Sequence, residues 1–328
     1  MPTITFPEDK ARRKINEVIE NKGLELDLSG MKLRKVPAEL ADAQSVIELD
    51  LSGNFLENVP EEVLAIPGLK HLDLGSNRLA SLPGFIGQMK TLSDLILSQN
   101  KIKRLPQELS NLVAMETFLI DYNQLTTLPD WMENWEFLSA ISASDNQLVQ
   151  LPGWVFRLPQ LTTAEFSTNT IKSFEELDDT NFTSCLERLC VCQNQLQNLP
   201  SRMVELSSLG EFCAYKNQLC DLPEWFVGLE SLEEVDLSQN NFSSIPESLR
   251  ACTNLIKADF TANAIRSVPQ WMSEWDNLES LWLHENPELG LSNEVLGQTR
   301  TKSGGRPNNV QKILASALSA KGSHDGSP

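Results

Sequence analysis

The residues best suited to chemistry in this sequence are its cysteines. There are six in 328 residues, at Cys185, Cys190, Cys192, Cys213, Cys220 and Cys252, and all lie within one fifth of the chain. Two of them flank a single valine in the stretch LCVCQN. Such a cluster could supply a nucleophile, ligands for Zn²⁺ or a redox pair, because thiolates are nucleophiles and soft metal ligands. The plain alternative is that the thiols are small apolar filler within a surface.

The other groups that catalysis would need are sparse. The three histidines are His71, His284 and His324, and none lies near the cysteines in the repeat register described below. The chain contains no HExxH, GxSxG, CxxC or phosphate-loop motif. A nucleophilic thiol or hydroxyl needs an adjacent, oriented base. We therefore expect no catalytic residues, no metal and no cofactor, and a protein that is not an enzyme.

The overall composition narrows the class of partner. The net charge is −18, which argues against a nucleic-acid binder because phosphate contacts need clustered Lys and Arg. No run of 18 apolar residues occurs, so no membrane span is predicted. No apolar stretch follows the basic residues near the N-terminus, so no signal peptide is predicted. These features favour a cytoplasmic protein with reduced thiols, and leave non-classical export open.

The cysteines belong to a strict internal repeat. Its register is marked by Asn54, Asn77, Asn100, Asn123, Asn146, Asn169, Asn194, Asn217, Asn240, Asn263 and Asn286. Every spacing is 23 residues except one of 25, between Asn169 and Asn194. A further unit has Met31 at the equivalent position, which makes twelve units. The shared pattern is LxxLxLxxNxLxxLP, and a fixed period of this kind indicates stacked structural units.

Each unit contains the elements that must position the cysteines. The alternating LxL core predicts a short strand with one buried face. The Asn follows the strand, where its side chain can satisfy backbone groups of its own unit and of a neighbour. Apolar residues three apart then predict an amphipathic turn, as at Leu109, Leu112 and Met115. No unit buries its apolar face alone, so the units must stack.

This pattern resembles the 23-residue "typical" leucine-rich repeat of intracellular proteins, over about residues 24–289. The resemblance implies an α/β leucine-rich repeat solenoid, a horseshoe of about twelve repeats. Its parallel sheet would form the concave face, and short helices or 3-10 turns the convex face. We expect an N-terminal capping helix in residues 1–23, with Ile15, Val18 and Ile19 on its inner side. The repeat array would occupy 24–298, and a flexible linker plus C-terminal amphipathic helix 299–328.

The ends of the array are similar to those of bacterial and Roco-type leucine-rich repeat proteins. The entry is GLELDLSGMKLRKVP and the exit is ENPELGLSNEVLGQ. This likeness, with that to Ras-associated repeat proteins, suggests GTPase-linked signalling by analogy. It carries no GTPase activity, because no phosphate-loop motif is present. The C-terminal helix either covers the last repeat or docks on a partner, and an acidic insertion in the seventh repeat has no assigned role.

The strand side offers the candidate binding surface. Four positions per unit, at 6, 4, 2 and 1 residues before the Asn, are expected to face outward, and fourteen of the forty-eight are acidic while three are basic. Repeat proteins usually bind partners on this face. We therefore predict a non-catalytic scaffold that binds a neutral or basic protein, with its oligomeric state undetermined. The candidate contact residues are Asp27, Asp50, Asp73, Asp94, Ile96, Leu119, Tyr122, Cys190, Cys213, Tyr215, Asp236 and Trp282.

Three alternatives accompany this prediction. Tyr122, Tyr215 and Trp282 are predicted to be aromatic anchors of the interface, or else scattered surface residues. Asp27, Asp50 and Asp73 could hold Ca²⁺, although solvated carboxylates are far more common. The protein could also be a bacterial secreted effector that acts on a host protein, since some effectors consist largely of such repeats.

Overall fold

The computed structural model describes residues 6–175, 184–201, 205–299 and 310–321. Two compact units divide the chain, Met1–Leu161 and Thr162–Pro328. The acidic run after Glu175 in the seventh repeat and the predicted linker at 300–308 lie outside the described residues. No helix in the described part of the chain has both the length and the apolar character needed to cross a bilayer.

The first unit begins with helix α1, Pro7–Asn21, which packs against the first strand and the first 3-10 helix. Ala11 and Ile15 are buried on its inner side, while Val18 and Ile19 are only half-buried. The strands are β1 Glu25–Asp27, β2 Glu48–Asp50, β3 His71–Asp73, β4 Asp94–Ile96, β5 Thr117–Leu119, β6 Ala140–Ser142 and β7 Gln150–Leu151. The 3-10 helices are Ala38–Asp42, Glu61–Ala65, Gly84–Gln88, Gln107–Asn111, Asp130–Asn134 and Gly153–Phe156.

The second unit repeats this arrangement. Its strands are β8 Thr163–Glu165, β9 Ser173–Phe174, β10 Arg188–Cys190, β11 Glu211–Cys213, β12 Glu234–Asp236, β13 Lys257–Asp259 and β14 Ser280–Trp282. Its 3-10 helices are Glu224–Gly228, Glu247–Ala251, Gln270–Glu274 and Pro287–Leu289, and its α-helices are α2 Asn293–Leu296 and α3 Val310–Lys321. Helix α3 packs on α2 and on the 3-10 helix Gln270–Glu274, with Val310, Ile313, Leu314 and Ala317 buried.

Within each unit the repeat strands pair in parallel with equivalent residues opposite one another. Glu48 lies opposite Glu25, and Cys213 lies opposite Cys190. The central residue of each strand is buried, and its neighbours face the other side, as the alternating pattern predicts. The parallel sheet and the short helices confirm the predicted leucine-rich repeat solenoid.

The asparagines form the predicted ladder. Asn54 Nδ2 donates to the carbonyls of Leu28 in the preceding repeat (2.9 Å) and of Leu51 in its own (2.9 Å). Its Oδ1 accepts from the backbone N–H of Leu33 at 2.9 Å. Nine further ladder asparagines repeat these contacts, Asn169 donates to the carbonyl of Phe166 in its own repeat at 3.1 Å, and all eleven are buried. Each Asn thus satisfies buried backbone groups that would otherwise lack partners.

A feature that the sequence pattern did not predict precedes each Asn. The residue just before it has a positive φ, as in Gly53 (+64°), Tyr122 (+52°) and Lys216 (+57°). This left-handed conformation turns the chain off the strand. Gly adopts it without cost, whereas a side chain with a Cβ is held there against its preference.

Tryptophan pairs pack beside the 3-10 helices in both units. Trp135 and Trp275 occupy equivalent positions, twelve residues after their Asn, and both are buried. Trp135 packs edge-to-face on Trp131 at 5.5 Å between ring centroids, and Trp275 on Trp271 at 5.2 Å. Edge-to-face pairs of this kind stabilise the stack beyond the area that they bury.

Candidate protein-binding surfaces

The first candidate surface lies on strands β1–β4 of the first unit. Six carboxylates define it, and we call it the acidic face: Glu25, Asp27, Glu48, Asp50, Asp73 and Asp94. Together with His71 and Ile96 they line a concavity of about 330 Å³. The strand register places the side chains in parallel rows, with Asp27, Asp50 and Asp73 adjacent in one row. Within this concavity the single ionisable nitrogen is that of His71, so the surface presents mainly negative charge.

The aspartates of this row also hold the backbone. Oδ1 of Asp27 accepts from the N–H of Ser29 at 2.8 Å, and Oδ1 of Asp73 accepts from the N–H of Gly75 at 2.7 Å. Asp50 does the same with Ser52 at 2.8 Å. These bonds end the strands and leave the second carboxylate oxygen for other partners. The signal was present in the sequence as Asp-Leu-Ser and Asp-Leu-Gly at the strand ends, and was missed.

The carboxylates of the acidic face differ in their electrostatics. The hydroxyl and N–H of Ser29 lower the pKa of Asp27, which Lys14 also approaches at 3.3 Å. Burial raises the pKa of Asp73, and the neighbouring Asp50 carboxylate raises it further. Nδ1 of His71 lies 2.8 Å from Oδ2 of Asp94. A cation placed here would therefore relieve repulsion around Asp73.

Apolar and aromatic residues follow the acidic face along the first unit. Ile96 and Leu119 are half-buried in the same row. Tyr122 is 57 % exposed, projects from a left-handed backbone position and hydrogen-bonds through its side chain to Asp145. The structure therefore places Asp27, Asp50, Asp73, Asp94, Ile96, Leu119 and Tyr122 on the outward side of one unit. Their role in binding remains a prediction.

The second unit carries a different set of side chains at the same repeat positions. Its thiol cluster, Cys190, Cys192 and Cys213, lies on β10, the turn after it and β11. Cys190 and Cys192 are 5 % and 4 % exposed, so the predicted contact residue Cys190 offers a partner little surface. Both lie at outward positions of the repeat register but are buried there.

The thiols of this cluster are unsuited to nucleophilic chemistry. The hydrogen bond with Cys213 raises the pKa of Cys190, and burial raises it further. The hydrogen bond from Cys190 lowers the pKa of Cys213, but the hydrogen bond with Cys192 and burial raise it by more. The pKa of Cys213 is therefore also raised. A thiol that stays protonated at neutral pH is a poor nucleophile. Arg188 lies alongside and is bound by Glu165 (3.1 Å) and Glu211 (2.5 Å).

The remaining predicted contacts of the second unit separate in the structure. Tyr215 is half-buried, and its hydroxyl accepts from Nε2 of Gln193 at 2.8 Å. Asp236 accepts from the N–H of Ser238 at 3.1 Å and keeps an outward position. Trp282 is 2 % exposed and is therefore not the exposed anchor that the repeat register predicted. It lies on the last strand, β14, which is buried along its whole length.

Comparison with known proteins agrees with this geometry. Family models described as leucine rich repeat match residues 67–125 and 231–252. This chain contains leucine-rich repeats. No curated protein matches its sequence. The likeness to Roco-type and Ras-associated members of the family stays a prediction.

Several solved leucine-rich repeat structures are similar to this one. YopM, a leucine-rich effector protein from Yersinia pestis, is 26 % identical with a TM-score of 0.66, covering 85 % of this chain and 77 % of its own. An internalin (inlF) from Listeria monocytogenes is 18 % identical with a TM-score of 0.72, covering 85 % and 83 %.

A plant receptor shares only part of its length with this chain. The GASSHO1/SCHENGEN3 ectodomain from Arabidopsis thaliana was solved in complex with CASPARIAN STRIP INTEGRITY FACTOR 2. It is 26 % identical with a TM-score of 0.64, and the match covers 78 % of this chain and 32 % of the receptor chain. Leucine-rich repeat folds of this kind are generally protein-interaction modules and typically non-catalytic.

Proposed function

We propose that this leucine-rich repeat protein is a non-catalytic scaffold that binds a basic protein segment on the acidic face of its first unit. The observation that carries the proposal is the concavity on β1–β4, where six carboxylates converge around a single histidine. Lysine and arginine side chains entering it would find acceptors on two adjacent rows. Opposite potentials would also speed association and exclude acidic competitors.

The aspartates and glutamates of the acidic face would contribute to binding in different ways. Asp27, Asp50 and Asp73 each commit one oxygen to a backbone N–H, so their orientation is fixed before a partner arrives. Fixed acceptors lose little conformational freedom on binding, which favours affinity. Glu25 on β1 lies opposite Glu48 on β2. In the contacts described, neither side chain accepts a backbone N–H. They would contribute charge alone.

Exposed Tyr122 would extend the contact beyond the acidic face. An aromatic ring with a polar tip and more than half of its surface exposed is typical of an interface anchor. Ile96 and Leu119 would supply apolar contact between the charges and the ring. On the second unit, Tyr215 and Asp236 remain proposed contacts, and Trp282 is withdrawn as an anchor because it is buried.

A binding measurement with defined peptides tests this proposal. The probe is a fluorescent lysine- and arginine-rich peptide, compared with an acidic peptide of equal length. The variant Glu25→Gln/Glu48→Gln removes two charges without touching the backbone caps. Its matched control, Glu57→Gln/Glu61→Gln, removes two exposed charges away from the strand face.

We expect the wild-type chain to bind the basic peptide and to lose affinity as salt rises. The Glu25/Glu48 variant should bind about fivefold more weakly, since two partly exposed ion pairs contribute about 1 kcal/mol. The control should bind as the wild type does. An equal loss of affinity in both variants would mean that only the net charge of the protein matters, and would contradict a site on β1–β4. A separate Tyr122→Ala/Tyr215→Ala variant with unchanged affinity would remove the aromatic contacts from the proposal.

The similarity to YopM favours a second candidate function, a bacterial effector that acts on a host protein. That function would use the same surface but requires export. Secretion of the tagged chain by a strain that carries an effector-export apparatus tests it. Retention of the chain in the cytoplasm of the secreting strain would exclude this candidate and leave the scaffold proposal in place.

A further inference from the structure

We propose that Cys190, Cys192, Cys213 and Glu211 form a Zn²⁺-binding site on the strand face of the second unit. This site is separate from the acidic face and does not depend on the function proposed for it. The sequence pattern predicted no metal, because the three thiols lacked an obvious fourth ligand. The structure supplies that ligand as Glu211, on the same side of β11 as Cys213.

The strand register brings the ligand atoms together. Cys190 on β10 lies opposite Cys213 on β11 in the parallel pair. The sulfurs of Cys190 and Cys213 and a carboxylate oxygen of Glu211 all lie within 4.8 Å of one another. The thiol of Cys213 also hydrogen-bonds with that of Cys192. In a tetrahedral Zn²⁺ site with Zn–S distances of about 2.3 Å, neighbouring sulfurs are about 3.8 Å apart. Cys192 lies outside that group of three, so its side chain would have to rotate toward Cys213 for all four ligands to surround one ion.

Glu211 is oriented as a metal ligand would be. Its Oε1 lies 3.2 Å from the thiol of Cys213, toward the cluster. Its Oε2 accepts from Nη1 of Arg188 at 2.5 Å, on the far side. Arg188 is itself anchored by Glu165 at 3.1 Å. Hydrogen bonds of this kind to the second oxygen of a ligating carboxylate fix its direction and are common at protein metal sites.

The charges and the burial suit a structural site. Zn²⁺ would displace the three thiol protons, which pass to water, with no electron transfer. Three thiolates and one carboxylate around Zn²⁺ carry a charge of −2, and the adjacent Arg188 offsets one unit of it. Cys190 and Cys192 are nearly fully buried, while Cys213 and Glu211 are partly exposed and leave an entry from solvent. Four protein ligands leave no open position for substrate, so the ion would fasten β10 to β11.

The test uses the full chain, reduced with a non-chelating phosphine, and Zn²⁺ alone as the probe. Calorimetric titration in buffers of different ionisation enthalpy measures the stoichiometry and the protons released. Alkylation followed by peptide mapping then reports which cysteines the ion protects. We expect one Zn²⁺ per chain, proton release on binding, and protection of Cys190, Cys192 and Cys213. The exposed Cys220 should stay reactive with or without the ion.

Variants assign the ion to the cluster. Cys213→Ser should abolish stoichiometric binding, and Glu211→Gln should weaken it by about tenfold or more, the scale of losing one interaction at a metal site. The matched control Cys220→Ser should bind as the wild type does. Co²⁺ bound to the wild-type chain should show thiolate-to-metal charge-transfer absorption that Cys213→Ser lacks.

Several results would overturn the site. One is the absence of saturable Zn²⁺ binding by the wild-type chain. Another is unchanged binding by Cys213→Ser, or loss of binding in Cys220→Ser instead. If Cys213→Ser fails to fold, the protection map of the wild-type chain decides, because Zn²⁺ that leaves Cys190 and Cys213 as reactive as before contradicts the proposal.

Discussion

The acidic face of the first unit and the thiol cluster of the second share one row of the repeat, four residues before the Asn, although each also includes residues of a neighbouring row. In the first unit that row holds Asp27, Asp50 and Asp73, and each ends its strand by accepting a backbone N–H. In the second unit β10 and β11 place Cys190 and Cys213 there. A thiol is a weak acceptor, so Cys190 and Cys213 supply soft ligands in place of carboxylate caps, while Asp236 in the same row still accepts from the N–H of Ser238.

The backbone beneath the two surfaces is the same. Asn123 in the first unit and Asn217 in the second make equivalent bonds to the preceding repeat, to their own repeat and from a backbone N–H. Chemical specificity therefore resides in the outward rows, while stability resides in the ladder. Each of the following tests probes one side of that division.

The largest expected effect on stability comes from replacing one ladder asparagine in either unit. Asn123→Ala and Asn217→Ala should each lower the free energy of unfolding by about 3–5 kcal/mol. Each substitution leaves one buried backbone N–H, that of Ile102 or Leu196, without its acceptor, at about 1–3 kcal/mol. It also removes bonds to carbonyls that keep a neighbouring asparagine as donor, at about 1 kcal/mol each. Urea unfolding followed by circular dichroism measures this loss. Thr126→Ala, at an exposed position, is the control and should stay within about 0.5 kcal/mol of the wild type. Clearly unequal losses at the two asparagines would break the equivalence of the units.

An intermediate effect on stability is expected from two equivalent tryptophans on the helical sides of the two units. Trp135 Nε1 donates to the carbonyl of Leu109 at 3.1 Å, whereas Trp275 Nε1 is buried with no acceptor among the described residues. Trp135→Phe removes a buried hydrogen bond, although the carbonyl of Leu109 still accepts from the N–H of Leu112 at 3.0 Å, while Trp275→Phe removes an unsatisfied donor. Both lose similar volume, so the first should destabilise more than the second by about 1–2 kcal/mol. Thermal unfolding of the two variants measures the difference, and equal destabilisation would contradict the hydrogen-bond assignment.

The smallest effect lies within the acidic face. The pKa of Asp73 is raised, so its charged form opposes folding and its contribution becomes more favourable as pH falls through that pKa. The pKa of Asp27 is lowered, so it stabilises the fold above its unfolded-state pKa, and this stabilisation is lost as pH falls through the folded value. At pH 7, Asp73→Asn should therefore raise stability and Asp27→Asn lower it, each by less than about 1 kcal/mol.

Carboxyl-carbon NMR titration reads both groups directly. Asp73 should titrate above, and Asp27 below, the range usual for aspartate. If Asp27 titrated above Asp73, burial would not be the cause of the Asp73 pKa shift, nor the Ser29 hydrogen bonds the cause of the Asp27 shift.

Much of this architecture could be predicted from the repeat. The 23-residue period and its Asn position determined the strands, their parallel order and the ladder, because a unit with one buried face has to stack on its neighbour. The same period gave the outward direction of Asp27, Asp50 and Asp73, and of Tyr122. It could not show that the Asp residues cap their strands, since outward position alone does not distinguish a solvated carboxylate from one that accepts a backbone N–H.

Burial of the outward residues was decided only by the tertiary structure. The register treats Trp282 as equivalent to Asp27, yet Trp282 is buried on the last strand and Asp27 is exposed on the first. Likewise, the sequence places three cysteines near one another, but the direction of Glu211, which Arg188 holds by a hydrogen bond, completes the proposed ligand set. Periodicity determines which way a side chain points. What covers it, and what it meets, depends on residues distant in sequence that only folding brings alongside.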